Sequence, residues 1–397
     1  MSKSNGTLIL ILGALTAIAP FSIDMYLPGM NEIAKDLGTP ISDVQLTLTS
    51  FFFGISFGQL FYGPIVDRFG RKIPLLVGLT LYIISSLACG FSNSVNALIF
   101  FRFLQSLGAC AGMVIPRAVV RDVFSPHEGA KVFSQIILVM GIAPILAPTV
   151  GGLLLQFASW NWIFFTLTGI STLMLFGSLL TFQDSKGADS SISLKIAPVI
   201  KEYIEVFSNP IFKTYVLSSG FSAAVMFAYI AGSPFVFMVL NGLSQTDYSY
   251  LFGFNAFGLI LSSQINRILL KKFEAATIVK YVGYSYLILC SLLVIFQILG
   301  LGFIPMLVLI FFLVSAFGLI VPNASALAMA PFSKNAGSAS ALMGALQMVF
   351  GAVSTAAVSL LHDGSAYPMI TVMSMSGVMS LACLFFLGKT HNRIKES

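Results

Sequence analysis

Two charged residues stand in stretches that are otherwise almost purely apolar. Asp24 lies in SIDMYLPGM (22–30), and Arg102 lies in LIFFRFLQSLGACAG (98–112). Polar groups inside a hydrocarbon-like run are costly and face a cavity or a partner. A carboxylate can serve there as a proton carrier, because burial away from a partner disfavours its charged form, and a nearby guanidinium restores it. At ~1.5 Å per helical residue, Asp24 lies about 10 Å from the outer end of its apolar run and Arg102 about 9 Å from the outer end of its own. Similar depth allows direct or water-mediated pairing. The alternative to a proton carrier is a structural ion pair.

Three further constellations suggest moving parts. GPIVDRFGRK (63–72) combines Gly63, expected to permit close helix approach, with Gly70, expected to permit a tight turn. Asp67 and Arg71 are spaced i, i+4 beside Arg68, and Asp122 of PRAVVRD (116–122) can join them in a charge cluster that latches one conformation. GIAPILAPTVGG (141–152) places Pro144 and Pro148 four residues apart on one helical face, followed by Gly151 and Gly152. That composition predicts a bent, tightly packed interface helix, a pivot or a seal against leak. The polar residues Gln59, Asn255, Asn323 and Gln347, with Tyr26, Tyr62, Phe227 and Tyr229, are candidates for the wall of a substrate cavity.

The elements that carry these residues follow from composition. The chain has 397 residues, 57% of them hydrophobic and 9% charged, against about 25% charged in an ordinary soluble domain. Apolar runs of about 20 residues, the length of a bilayer-spanning helix, number twelve, at 7–29, 46–66, 74–92, 96–116, 134–157, 162–182, 212–239, 248–269, 277–299, 303–326, 337–361 and 366–388. The first continues past Ala17-Ile18-Ala19 and Pro20, too long for a signal peptide, and reads as a retained span. With the N-terminus inside, 19 of the 21 basic residues fall on one side, which the positive-inside rule makes cytoplasmic. The net charge of +6 is thus a topological bias and no sign of nucleic-acid binding.

A polar stretch at 183–210 divides the chain into an N-terminal six-helix bundle (1–182) and a C-terminal one (211–397), joined by a cytoplasmic linker. A faint repeat supports two related halves: GQLFYGPIVDRFGRK from Gly58 aligns without gaps on GLILSSQINRILLKK from Gly258. Connections are too short for a catalytic domain. The sequence has no GxxxxGK[ST] phosphate loop, no HExxH pair and no plausible Ser/His/Asp set, so it does not read as an enzyme or an ATP-driven pump. Four scattered cysteines and three isolated histidines predict no metal site and no cofactor.

Together these stretches resemble the major facilitator superfamily. GPIVDRFGRK is similar to its loop 2–3 motif, FFRFLQSLGACAG to its span-four arginine motif, and APTVGG to the span-five motif associated with antiporters. SIDMYLP, FRFLQSLGACAGM, VVRD and GSPFVF (232–237) look more narrowly like the bicyclomycin/chloramphenicol-resistance (Bcr/CflA) branch of proton-coupled drug exporters. Ala147 stands where the span-five motif usually has Gly, and Gln105-Ser106 where Gln-Gly is usual. The resemblance implies an all-α membrane protein with twelve transmembrane helices in two pseudo-symmetric six-helix bundles. It further implies drug:proton antiport by alternating access across the bacterial inner membrane, with Asp24 and Arg102 as the coupling pair. The expected partners are a small-molecule substrate, protons and the lipid bilayer, around a monomer with both termini cytoplasmic. The competing expectation is a proton-coupled exporter of a metabolite such as an amino acid, dipeptide or sugar.

Overall fold

The computed structural model describes residues 3–181, 184, 187, 196–332 and 335–396, and every regular element among them is a helix. Backbone groups in hydrocarbon must be satisfied within their own segment, which for an apolar chain of this kind means helices. The chain divides into two compact units, Met1–Lys195 with Ser244–Gly253, and Ile196–Leu243 with Phe254–Ser397.

The first unit holds α1 (Lys3–Asp24), α2 (Met30–Asp36), α3 (Ile41–Phe69), α4 (Lys72–Gly90), α5 (Val95–Val123), α6 (Pro126–Leu154) and α7 (Asn161–Thr181). Helix ends are set by local chemistry. Ser94 caps α5, its hydroxyl accepting from the Ala97 amide at 3.3 Å. Ser125 and Glu128 form a reciprocal capping box at the start of α6. Between α3 and α4 the chain reverses at Gly70, whose φ of +81° favours a residue without Cβ.

Small residues set the spacing around α5. A Cβ added at Gly58 of α3 would lie 2.9 Å from the Cys110 side chain, and one at Gly108 would lie 2.5 Å from the Tyr82 amide nitrogen of α4. A Cβ at Gly112 would meet the Leu15 carbonyl oxygen of α1 at 2.5 Å. Helices α1, α3 and α4 therefore approach α5 backbone to backbone, as small residues allow inside membranes. Gly63 has no such role: a Cβ there meets nothing within 4 Å. The close approach expected of it falls instead to Gly58 and Gly54, about one and a half and two and a half turns earlier on the face that meets α5.

The second unit holds α8 (Ile196–Ser208), α9 (Pro210–Ser233), most of α10 (Gln245–Leu269), α11 (Ala275–Ile298), α12 (Phe303–Met329), α13 (Ala336–Leu360) and α14 (Tyr367–Glu396). Helix α9 packs on α12, α13 and α14 and continues through a π-helical turn, Pro234–Leu240. Gly258, the repeat partner of Gly58, is a second close approach: a Cβ there would meet Phe311 and Ser315 of α12. Val206 of α8 is buried with Phe212, Val216, Ala328 and Ala339.

Among the described residues, ten helices are long and apolar enough to cross a membrane. The two remaining expected spans are also helical. In α6 the apolar stretch is the shorter Val139–Leu154. Helix α10 has 25 residues, but Gln245, Asp247, Asn255, Gln264, Asn266 and Arg267 lower its hydropathy. At 1.5 Å per residue it is about 37 Å long, enough to span.

Candidate functional site

The strongest polar feature of the first unit is the Arg102 side chain, which has no exposed surface. Its guanidinium carbon lies 4.3 Å from the ring centroid of Phe51, 4.8 Å from Tyr26 and 5.8 Å from Phe164. Desolvating an arginine costs several kcal/mol. Three desolvated cation–π contacts, each worth about 2 kcal/mol, offset much of that. Nη1 donates to the Ser22 carbonyl at 3.0 Å and to Gln105 Oε1 at 2.7 Å. Nε and Nη2 are buried with no acceptor among the described residues.

Two arms tie this group to α4. Gln105 Nε2 donates to Ser86 Oγ at 2.8 Å, and the Ser22 hydroxyl shares a 2.6 Å hydrogen bond with the Tyr82 hydroxyl. Tyr26, besides stacking on the guanidinium, shares a 2.9 Å hydrogen bond with Thr47 of α3.

Asp24 is 5% exposed at the end of α1 and forms no ion pair with Arg102. The arginine is met instead by the Ser22 carbonyl and by the ring of Tyr26, just past the end of α1.

The 63–72 loop forms a second charged cluster, wholly within the first unit. The buried Arg71 donates through Nη1 to Asp67 and through Nε to Asp122, both at 2.8 Å, and through Nη1 to the Val66 carbonyl at 2.7 Å. Burial pushes its pKa down, but hydrogen bonds to Asp122 and Asp67 outweigh this and hold it above the ordinary arginine value. The Arg68 guanidinium carbon lies 5.9 Å from the Phe69 ring centroid. Asp184 was not anticipated: its carboxylate accepts from the Arg71 and Lys72 amides at 2.6 and 2.9 Å, capping α4 from 112 residues away.

The glycine pair of α6 serves close approach. A Cβ at Gly151 would strike the Met25 carbonyl of the α1–α2 connection, and one at Gly152 would lie 2.5 Å from Ser249 Oγ at the start of α10. Ser249 donates to the Pro148 carbonyl at 2.8 Å, and Gln156 donates to Thr246 at 2.7 Å. Nearby, Trp160 donates its indole N–H to Asp36 at 2.8 Å and its amide to Glu32 at 3.3 Å, while Gln245 reaches Glu32 at 3.4 Å. This clasp has no signature in the sequence, since its acids are exposed or half-buried and lie in a short helix outside the apolar runs.

Of the residues expected to wall a substrate cavity, Tyr26, Tyr229, Asn255 and Asn323 are buried. Asn255 donates to Tyr229 at 2.8 Å and Asn323 to Asn266 at 2.6 Å. Phe227 packs against Gly351, and the Tyr62 hydroxyl lies against Gly78. Gln59 and Gln347 are half-buried, with Gln347 donating weakly to Ser219 at 3.4 Å.

Two units of membrane-length helices, with charges held inside the first, define a multi-pass membrane protein. The family model of the Major Facilitator Superfamily matches residues 12–355, and the chain belongs to that superfamily. It is 34% identical over 397 residues to the MFS-type transporter YdgK of Bacillus subtilis, covering 100% of this chain and 98% of the relative. It is 31% identical over 385 residues to the bicyclomycin resistance protein homolog of Haemophilus influenzae, covering 97% of each. Among solved structures, a D-xylose-proton symporter superposes with a TM-score of 0.79 at 15% identity, over 97% of this chain and 98% of that one. The protein is a transporter and not an enzyme.

Proposed function

We propose that this transporter exports small amphipathic compounds in exchange for protons across the bacterial inner membrane, acting as a monomer with both termini in the cytoplasm. The observation that carries the reading is Asp24, a buried carboxylate in the first span with no ion pair among the described residues. Uptake of a proton removes the cost of holding that charge in hydrocarbon. The relative named for bicyclomycin resistance supports a drug-like substrate. In this reading, the halves 1–182 and 211–397, joined by 183–210, alternate access, and the Arg71 cluster latches the cytoplasmic end.

The test is the collapse of a pH gradient in everted vesicles on adding bicyclomycin, a phenicol, a fluoroquinolone or a dipeptide. Native protein should collapse the gradient with at least one drug, and Asp24→Asn should lose about tenfold or more of that rate. Equal collapse in both would move the proton away from Asp24. Collapse with dipeptides alone would favour a metabolite exporter.

A further inference from the structure

We infer that Asp184, at the start of the connection between the two halves, is a positioning residue for the Arg71 latch. Its carboxylate fixes the backbone of residue 71 so that the arginine side chain meets Asp67 and Asp122 together. The inference rests on the Arg71 cluster being the cytoplasmic latch.

Arg71 stands where two demands meet. It occupies the N-cap position of α4, and it carries the guanidinium on which Asp67 of α3 and Asp122 of α5 converge. A helix start leaves its first amides without partners inside the helix. The N-cap residue ordinarily satisfies one of them with a short side-chain oxygen. Arginine has donors only, and no side-chain cap comes from Arg71. Asp184 supplies one from elsewhere in the chain. Its Oδ1 accepts from the Arg71 amide at 2.6 Å and from the Lys72 amide at 2.9 Å, where the helix dipole favours a negative charge. Gly70 leaves room for this carboxylate, since a Cβ there would lie 2.9–3.2 Å from it.

A return contact has the opposite polarity. Lys72 Nζ donates at 3.5 Å to the Leu179 carbonyl in the last turn of α7. The start of α4 and the end of α7 are thus tied by an anion at amides and a cation at a carbonyl. The Arg71 side chain that leaves this tie is fully buried, with Nη1 and Nε each 2.8 Å from a different carboxylate. Hydrogen bonds weaken steeply with angle, so a guanidinium serving two helices tolerates little drift of its own backbone.

The test uses the full chain in proteoliposomes, spin-labelled at Lys131→Cys near the start of α6 and Lys272→Cys just past the end of α10. Both positions are exposed and the native cysteines are buried. Double electron–electron resonance then reads the ratio of long to short distances, and a loosened latch raises it. Asp184→Ala should raise the ratio about fivefold, the equilibrium counterpart of losing one helix cap. Asp184→Asn keeps an acceptor oxygen, and its ratio should stay within about twofold of native. A native ratio in Asp184→Ala when Arg71→Ala has raised its own overturns the inference, even if the melting temperature falls, because the cap then only holds α4. A ratio in Asp184→Asn as high as in Asp184→Ala overturns it too, since charge and not the cap would carry the effect. A native ratio in Arg71→Ala instead overturns the latch reading, and the inference with it.

Discussion

A cation in hydrocarbon needs compensation, and Arg102 obtains it from ring faces where a carboxylate was expected. The sequence made the depth of Asp24 and Arg102 legible, since rise per residue is fixed. It left their mutual azimuth open, because nothing in one chain tells which face of α1 looks at α5. Ser22 and Tyr26 were visible, but only the fold shows that the carbonyl of one and the ring of the other meet the arginine. The energetic claim is testable against a neighbour of the same type. Phe51 and Phe52 are both fully buried in α3, and the Phe51 ring centroid lies 4.3 Å from the guanidinium carbon. Each Phe→Leu change removes similar ring volume, and Phe51→Leu additionally removes one desolvated cation–π contact of about 2 kcal/mol. Thermal unfolding in detergent should therefore show Phe51→Leu as the less stable variant by about that margin. Equal losses would mean that the rings only fill space around Arg102.

At the scale of elements, glycines illustrate what sequence patterns carry and what they omit. Gly70 was legible because a two-residue reversal between long helices calls for positive φ, and it has φ +81°. Gly63, in the same motif, looked equivalent. Helical rotation separates them: the face of α3 that meets α5 runs through Gly54 and Gly58, and Gly63 points into open space. Two substitutions at distant sites follow from this. Gly63→Ala replaces a poor helix former on a free face and should leave stability unchanged or raise it by up to ~1 kcal/mol. Gly108→Ala drives a methyl into the backbone of α4, 2.5 Å from the Tyr82 nitrogen, and overpacking of that kind costs about 1–3 kcal/mol. Gly108→Ala should also disturb Tyr82 and Ser86, so its driven transport should fall more steeply than its melting temperature suggests. A tolerated Gly108→Ala, or a damaging Gly63→Ala, would show that the α4–α5 approach does not set the geometry of the arginine site.

For the whole molecule, hydropathy alone located the spans, because twenty apolar residues have few alternatives to a membrane helix. The faint repeat was also legible, and Gly58 and Gly258 do the same work in their respective units. Hydropathy carries no record of long-range pairing, however. It did not show that Ser244–Gly253, though it opens a helix of the second half, groups with the first unit. Nor did it show that Asp184 returns to cap α4. The assignment of inside and outside rests on charge counting, with Lys35 the single loop residue against the rule. It is tested through two exposed positions on opposite sides of that assignment, Gly187 after the sixth span and Asp363 before the twelfth. The four native cysteines are buried, so new thiols at these sites report without much background. In intact cells a membrane-impermeant maleimide should label Asp363→Cys and spare Gly187→Cys, and everted vesicles should reverse the pattern. The opposite labelling would invert the topology. The Arg71 latch would then close the outer mouth, and Asp24 would lie nearer the cytoplasmic face, where the direction of proton-driven transport would have to be argued anew.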